Sequence, residues 1–451
     1  MKTPKLTKLK SIALINTTVA ILAFTNLSYP DDPDLTQQKW LDIANQITGP
    51  MTSHLSAAMT QPTFQSKSEA NHIYSPFSLL SPLVMISRGT QGSTNNEFSQ
   101  LFFRSTSAMA SPEDLKKILF GFAVATKNIT SSGIVKVTNG IFIDQSNGFE
   151  FEEDYLSDLK LALGHSASSN CFGQLEKITE LHSLAFKERL NNWVKEATAN
   201  KIPAILSDRL PESTKIVLLN TVLLKAKWPK KLNSAPNFHF HDQGIPPSLP
   251  QAPIPAVKYQ NAAHRTLTHE DYLWNIALLP FEGYEYAVLL AMPPAGSHQI
   301  CFSNSSSVCL RALKSLTDSS SPHTPRKNVV LPKLKVESEW DIKALMQKEN
   351  ILSSAFTPGL ADFSLLSSQA CVGSEFIISK IIQRAILELD EVGVQAAAAT
   401  MMGAGLFCAR IEPQTIEFNH PFKLFVVHIK NHYILFEATI IKTPEQPSMT
   451  W

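Results

Sequence analysis

The chain has 451 residues, 44% of them hydrophobic and 18% charged, with a formal net charge of +1. That length and apolar content are enough to bury a large core. The near-neutral balance gives no reason to expect a nucleic-acid groove or a polybasic membrane patch, both of which need charge concentrated on one face.

At the amino terminus Lys2, Lys5, Lys8 and Lys10 precede an apolar stretch from Ile12 to Phe24. This is the order of a basic and a hydrophobic region in a secretory signal, so residues 1–29 are read as a signal peptide and the mature chain as secreted into the extracellular space. The stretch falls short of the roughly 20 apolar residues of a membrane span, and no membrane association is expected once the signal is removed. Residues 30–70 are expected to form a helical segment leading into the domain, since apolar residues recur at helical spacing from Leu35 to Met59 with a break at Pro50.

Further along, Ile73-Tyr74 reads as a short strand, followed by a helix capped by Ser75 or Ser78 and ending near Arg88-Gly89. Val135 to Ile143 and Lys215 to Leu224 are strands by β-branched content, and Ala185 to Ala199 is helical by periodicity. Ile276 to Pro280 and Ala287 to Met292 flank Glu282-Gly283 as a hairpin. Val329 to Val336 is expected as one strand, Asp341 to Lys348 as a helix, and Glu375 to Asp390 as a strand well beyond the usual length of about 5 to 6 residues. Thr415 to Thr443 holds strands with no helix between them. The class is therefore α+β, with mixed, largely antiparallel sheets, and no Gly/Ser linker, charge block or repeat divides the chain after about residue 70.

The five cysteines, Cys171, Cys301, Cys309, Cys371 and Cys408, show no C-x-x-C pair and no histidine spacing for a tetrahedral metal site. No metal is expected; in an oxidising compartment Cys301 and Cys309 are spaced to close a small loop. There is no G-x-S-x-G elbow, no G-x-x-x-x-G-K phosphate loop and no H-E-x-x-H zinc helix. Catalysis is not expected. The thinly basic stretch from Lys116 to Lys127 gives no ground for a polyanionic cofactor, so none is called for.

What the chain does carry is Glu391-Val392-Gly393-Val394-Gln395-Ala396-Ala397-Ala398-Ala399-Thr400, an acidic residue and a glycine followed by a run of small residues. With it, in order, stand Ser75-Pro76, Ser78, Gly89, Gly92 and Thr94; Asn191-Asn192-Trp193-Val194; Leu219-Asn220-Thr221, Lys225 and Trp228; Leu279-Pro280-Phe281 with Met292-Pro293; Leu331-Pro332-Lys333-Leu334-Lys335; Ala361-Asp362-Phe363-Ser364; and Phe418-Asn419-His420-Pro421-Phe422 with Ile434-Leu435-Phe436. This set resembles the serpins, serine protease inhibitors, over residues 38–445. The resemblance implies a single serpin domain over that span, with surrounding helices, a hinge and exposed reactive-centre loop at 391–417, and a tail at 446–451.

The activity implied is suicide inhibition. A target serine protease attacks the loop, forms an acyl-enzyme and is trapped in a covalent complex as the cut loop enters the main sheet as a new strand. The inhibitor is expected as a monomer. Counting along the hinge by the family's usual length puts the reactive bond at Phe407-Cys408, favouring a chymotrypsin-like target with a large apolar primary pocket. Counting back from Phe418 reaches Arg410 as the alternative specificity residue. Hinge positions are Glu391, Gly393, Val394, Ala396, Ala398 and Thr400, and Trp228 is placed by the resemblance beneath the top of the main sheet, at the breach where the loop enters. The first inserting residue is Val394 where inhibitory members usually have Thr or Ser. No proline interrupts Val394 to Arg410, as a central strand requires. A non-inhibitory serpin acting as carrier, chaperone or plain substrate is the alternative function.

Overall fold

The computed structural model describes residues 48–49, 51–52, 55, 70–103, 110–145, 148–164, 174–242, 252–269, 271–297, 302, 305–317, 324–394 and 414–447. In chain order these form β1 (His72–Tyr74), α1 (Pro76–Ser87), α2 (Gly92–Phe103), α3 (Pro112–Thr130), β2 (Val135–Asp144), α4 (Glu153–Gly164), β3 (Gln174–Ile178) and α5 (Leu184–Ala197). There follow β4 (Ile216–Leu224), β5 (Ala226–Lys227), β6 (Asn233–Phe238), β7 (Ile254–His269), β8 (Tyr272–Pro280), β9 (Tyr286–Met292) and α6 (Ser305–Thr317). Last come β10 (Arg326–Pro332), β11 (Leu334–Asp341), α7 (Ile342–Lys348), β12 (Ile378–Leu389), β13 (Gly393–Val394), β14 (Thr415–Glu417), β15 (Phe422–His428) and β16 (Tyr433–Ile440).

Two sheets organise the molecule. The nine-stranded sheet runs β1-β16-β15-β9-β8-β7-β10-β14, with β6 also on β7; the seven-stranded sheet runs β3-β2-β4-β12-β13-β5, with β11 also on β12. Most pairings are antiparallel, as expected, but β4 and β12 run parallel at the centre of the seven-stranded sheet, Ile382 opposite Leu219 and Ala385 opposite Val222. The main core lies where α1 and α3 pack with both sheets. A second cluster fills the space between α6 and the nine-stranded sheet, and a third joins α5 to the seven-stranded sheet through Phe186, Leu190, Val194, Leu219 and Ile386.

Helix α1 is buried along its whole length, which explains why it is apolar on every face. Ser75 is its N-cap, accepting from the Ser78 amide at 3.2 Å, and this settles the choice between the two serines. Pro82, inside the helix, has no N–H for the Ser78 carbonyl one turn earlier. Asn220 Nδ2 donates to that carbonyl instead, at 2.7 Å. A helix defect is thus repaired from the central strand β4, and the repair ties helix to sheet.

The stretch expected as one strand, Val329 to Val336, is two. β10 ends at Pro332 in the nine-stranded sheet, Lys333 intervenes, and β11 begins at Leu334 in the seven-stranded sheet. Proline supplies no ladder donor, so the chain changes sheets there, while the Lys333 amide is satisfied by the Pro255 carbonyl at 2.9 Å. Cys309 carries a free, buried thiol in α6; Cys301, its expected partner, lies outside the described residues.

Candidate functional site: the hinge above the central seam

The seven-stranded sheet is closed along its centre by the parallel β4–β12 pairing from Ile378 and Ile216 up to Ala385 and Val222. Above that seam the sheet parts. The two-residue strand β13 is wedged into the opening, with Val394 antiparallel to Leu389 of β12 on one side and to Ala226 of β5 on the other. Val394 is 1% exposed and belongs to the main core. A valine is well suited to that place, since a pleated, buried position rewards β-branched apolar bulk.

The chain reaches this wedge through a tight reversal after β12. Asp390 Oδ1 accepts from the amides of Val392 at 2.7 Å and Gly393 at 3.0 Å, and the Asp390 amide donates to the Gly393 carbonyl at 3.1 Å. Gly393 has φ +148°, and a Cβ there would stand 2.2 Å from the Ala226 carbonyl oxygen. Only glycine admits both that backbone angle and that approach. Glu391 points away from the wedge to an ion pair with Lys333 at 2.6 Å, both side chains about a quarter exposed at 28% and 26%. Burial pushes the Glu391 carboxyl up, but the Lys333 hydrogen bond and the charges of Lys333 and Lys231 outweigh it, holding the group below its ordinary value.

Trp228 lies directly beside this reversal. Its indole Nε1 donates to the Asp390 carbonyl at 2.9 Å and its amide to the Val392 carbonyl at 2.9 Å, while the ring stacks on Phe281 at 4.6 Å and meets Tyr259 edge-on at 5.5 Å. The Leu232 amide donates to the Glu391 carbonyl at 2.8 Å. Every backbone carbonyl from Asp390 to Gly393 therefore has a donor, which buried backbone requires.

Below the wedge, a polar cluster missed in the sequence lies under the seam. Gln383 Nε2 donates to Asn220 Oδ1 at 2.6 Å and to the Ser75 carbonyl at 2.9 Å, Gln383 Oε1 accepts from the Ser75 amide at 2.9 Å, and Asn220 also contacts Asn139. Gln383 and Asn220 are fully buried. Their signal was available, because two amides amid apolar strand residues that otherwise read as core are expensive unless paired with each other. Lys333 was also missed as the hinge's ionic partner, although it was among the residues carrying the resemblance. Among the described residues, no group of three or more His, Cys, Asp or Glu side chains could hold a metal ion.

Of the expected site residues, Glu391, Gly393, Val394 and Trp228 come together at the head of the seam. Ala396, Ala398, Thr400, Phe407, Cys408 and Arg410 lie outside the described residues, as do residues 1–29.

A sheet that is closed below and wedged open by the first residues of a long connection is the arrangement on which a loop-inserting inhibitor is built. The family model for serpins (serine protease inhibitors) matches residues 51–443, and the chain belongs to the serpin family. It is 26% identical to serpin B8 of Bos taurus over 377 residues, covering 81% of this chain and 91% of that protein. Against the leukocyte elastase inhibitor of Homo sapiens it is 25% identical over 378 residues, covering 81% and 91%. Among solved structures, human kallistatin superposes with a TM-score of 0.70 at 18% identity over 89% of this chain and 99% of that one. Human thyroxine-binding globulin gives 0.68 at 18% identity, over 88% and 100%. Those structural likenesses show the serpin fold. Family members are protease inhibitors, not catalytic enzymes, and form complexes with target serine proteases.

The relatives overturn one expectation. The serpin B and leukocyte elastase inhibitor proteins are intracellular serpins that lack signal peptides, and they point to the cytoplasm. The reading of residues 1–29 as a secretory signal peptide, and of the protein as secreted and extracellular, does not stand. The 13-residue apolar stretch from Ile12 to Phe24 is interrupted by Asn16, Thr17 and Thr18, which weakens it as the hydrophobic region of an export signal.

Proposed function

We propose that this chain is an inhibitory serpin, acting on serine endopeptidases and preferentially on chymotrypsin-like ones through a single domain over residues 38–445, as a monomer. The observation that carries the reading is the seating of Val394 as an antiparallel strand between β12 and β5, ahead of a seam that is still closed. In this reading the protease serine attacks the Phe407 carbonyl, its hydroxyl proton passes through the protease base to the leaving Cys408 amine, and Phe407 remains as an ester on the enzyme. The freed end of the loop then follows Val394 into the sheet.

The existing pairs set the register of that entry. Continuing them, residue 396 falls opposite Leu387 and Leu224, 398 opposite Ala385 and Val222, and 400 opposite Gln383 and Asn220. Entry breaks one parallel ladder and makes two antiparallel ones. With about 10 residues newly paired at ~0.5–1.5 kcal/mol net per hydrogen bond, the gain is on the order of 10 kcal/mol before side-chain burial. The uncut loop, fixed at both ends, is kept from that gain kinetically.

The test mixes the purified chain with chymotrypsin and with trypsin, followed by denaturing gels and intact mass. A complex that survives denaturation is expected with chymotrypsin, together with a fragment beginning at Cys408 that separates in the denaturant. A fragment beginning at Ile411 would assign the specificity residue to Arg410 and a trypsin-like target. Clean loop cleavage without complex by every protease would favour the carrier, chaperone or substrate reading, for which thyroxine-binding globulin solved with its hormone is the structural precedent.

A further inference from the structure

At the opposite end of the seam from the hinge lies a cavity of about 360 Å³. Its walls come from the chain entering β4 (Thr214, Lys215), from the start of β12 (Ser379, Lys380), from α7 (Lys343) and from Glu375. Here the two central strands are joined below their ladder by a side chain, the Lys215 amide donating to Ser379 Oγ at 2.8 Å. The β12 register also slips between Ile378 and Lys380.

Three lysines therefore face one small space, against a single lining carboxylate, Glu375, which is exposed. Lys215 is neutralised by Asp144 at 2.9 Å. Lys343 and Lys380 are partly buried and make no salt bridge among the described residues. Lys343 lies with its ammonium 5.5 Å from the centre of the Phe356 ring, a contact that brings no anionic partner. Desolvation holds its pKa below the ordinary lysine value, with Asp341 opposing. Two partly buried cations that share a cavity with one exposed carboxylate leave room for a further anion to complete them.

We propose that this cavity binds a small polyvalent oxyanion, phosphate- or sulfate-bearing, held by Lys343 of α7 and Lys380 of β12 against Lys215 at the entry of β4, and so bridging the entry of β4 to the start of β12. Occupancy adds a tie across the base of the seam, so the bound anion resists the parting of β4 and β12. Binding is independent of whether the protein inhibits a protease, and is read without one.

The experiment is isothermal titration calorimetry of the full chain with inorganic pyrophosphate, and separately with a sulfated disaccharide, at constant ionic strength. Saturable binding of at least one is expected, with affinity reduced about tenfold or more in K343Q/K380Q, because each substitution gives up a charge-assisted hydrogen bond to the anion. K380Q alone serves as the second variant if the double one melts early. Hydrogen exchange of the 216–222 and 378–385 amides is expected to slow with the bound anion in wild type only. Tight pyrophosphate binding identifies a phosphoryl ligand, and tight binding of the disaccharide a sulfated one. Absence of saturable heat with both probes, or equal affinity in wild type and the folded variants, overturns the proposal.

Discussion

Replacing Ala396 by Arg tests the insertion register directly. Position 396 is two residues beyond Val394 and, on the continued register, enters between Leu387 and Leu224, each 1% exposed and part of the main core. A guanidinium there has no carboxylate to meet, and an uncompensated buried ion costs several kcal/mol. If ~4 kcal/mol of that falls on the insertion step, the step slows about a thousand-fold, and hydrolysis of the acyl-enzyme overtakes it. The readout is the number of inhibitor molecules consumed per protease inactivated, with the denaturation-resistant complex followed on gels. Gln395→Arg is the matched control, because position 395 falls on the opposite face beside the exposed Lys225 and the Glu388 carboxylate, which an added cation can meet. The expected result is loss of complex in Ala396→Arg and its retention in Gln395→Arg. Wild-type stoichiometry in Ala396→Arg, or equal failure of both variants, would refute the register.

Insertion must also separate Gln383 from Asn220 from one strand spacing to two, about 10 Å, and a hydroxyl at position 400 would stand between them. Thr400→Val is expected to lower the melting stability of the loop-cleaved protein by ~1–3 kcal/mol, the cost of unpaired buried polar groups, and to leave the intact protein unchanged; an equal drop in both forms would be evidence against it. Gly393→Ala is expected to destabilise the intact protein by roughly 1–3 kcal/mol, because it demands a strained angle and collides with the Ala226 carbonyl, and an unchanged melting midpoint would contradict this. The Glu391 carboxyl has a folded pKa below its unfolded value of about 4.3. Its contribution is therefore complete above that value and lost as pH falls through the folded one. With both partners partly exposed the effect stays within ~1 kcal/mol, and Glu391→Gln should remove that pH dependence from acid unfolding curves.

The elements that were legible in the sequence are those whose pattern is local. A helix cap at Ser75 or Ser78, the β4 strand and the hairpin around Glu282-Gly283 follow from capping chemistry, β-branched runs and turn residues acting over a few positions. Pairing partners were not legible. Nothing in Ile216–Leu224 or Ile378–Leu389 announces that the two strands, more than a hundred residues apart, lie parallel, because register is set by the shared burial of both faces. The same holds for Lys333, whose role depends on a sheet change at Pro332 and on where Glu391 arrives. The turn through Gly393 was legible because a glycine there answers a backbone demand that sequence records directly. The amino terminus misled for the converse reason, as a composition that suits an export signal can arise without one.

The two ends of the connection from Val394 to Thr415 are rooted in different sheets, Val394 in the seven-stranded one and Thr415 beside Asn328 at the edge of the nine-stranded one. After a cut at Phe407-Cys408, the carboxyl-terminal piece would still own β15 and β16, two interior, fully buried strands. Such a piece is a structural stave and cannot float away as a released peptide. Nicked protein should elute from a sizing column at the intact mass and fall into two bands only in denaturant, so a size measurement on the folded molecule would not reveal cleavage at this bond.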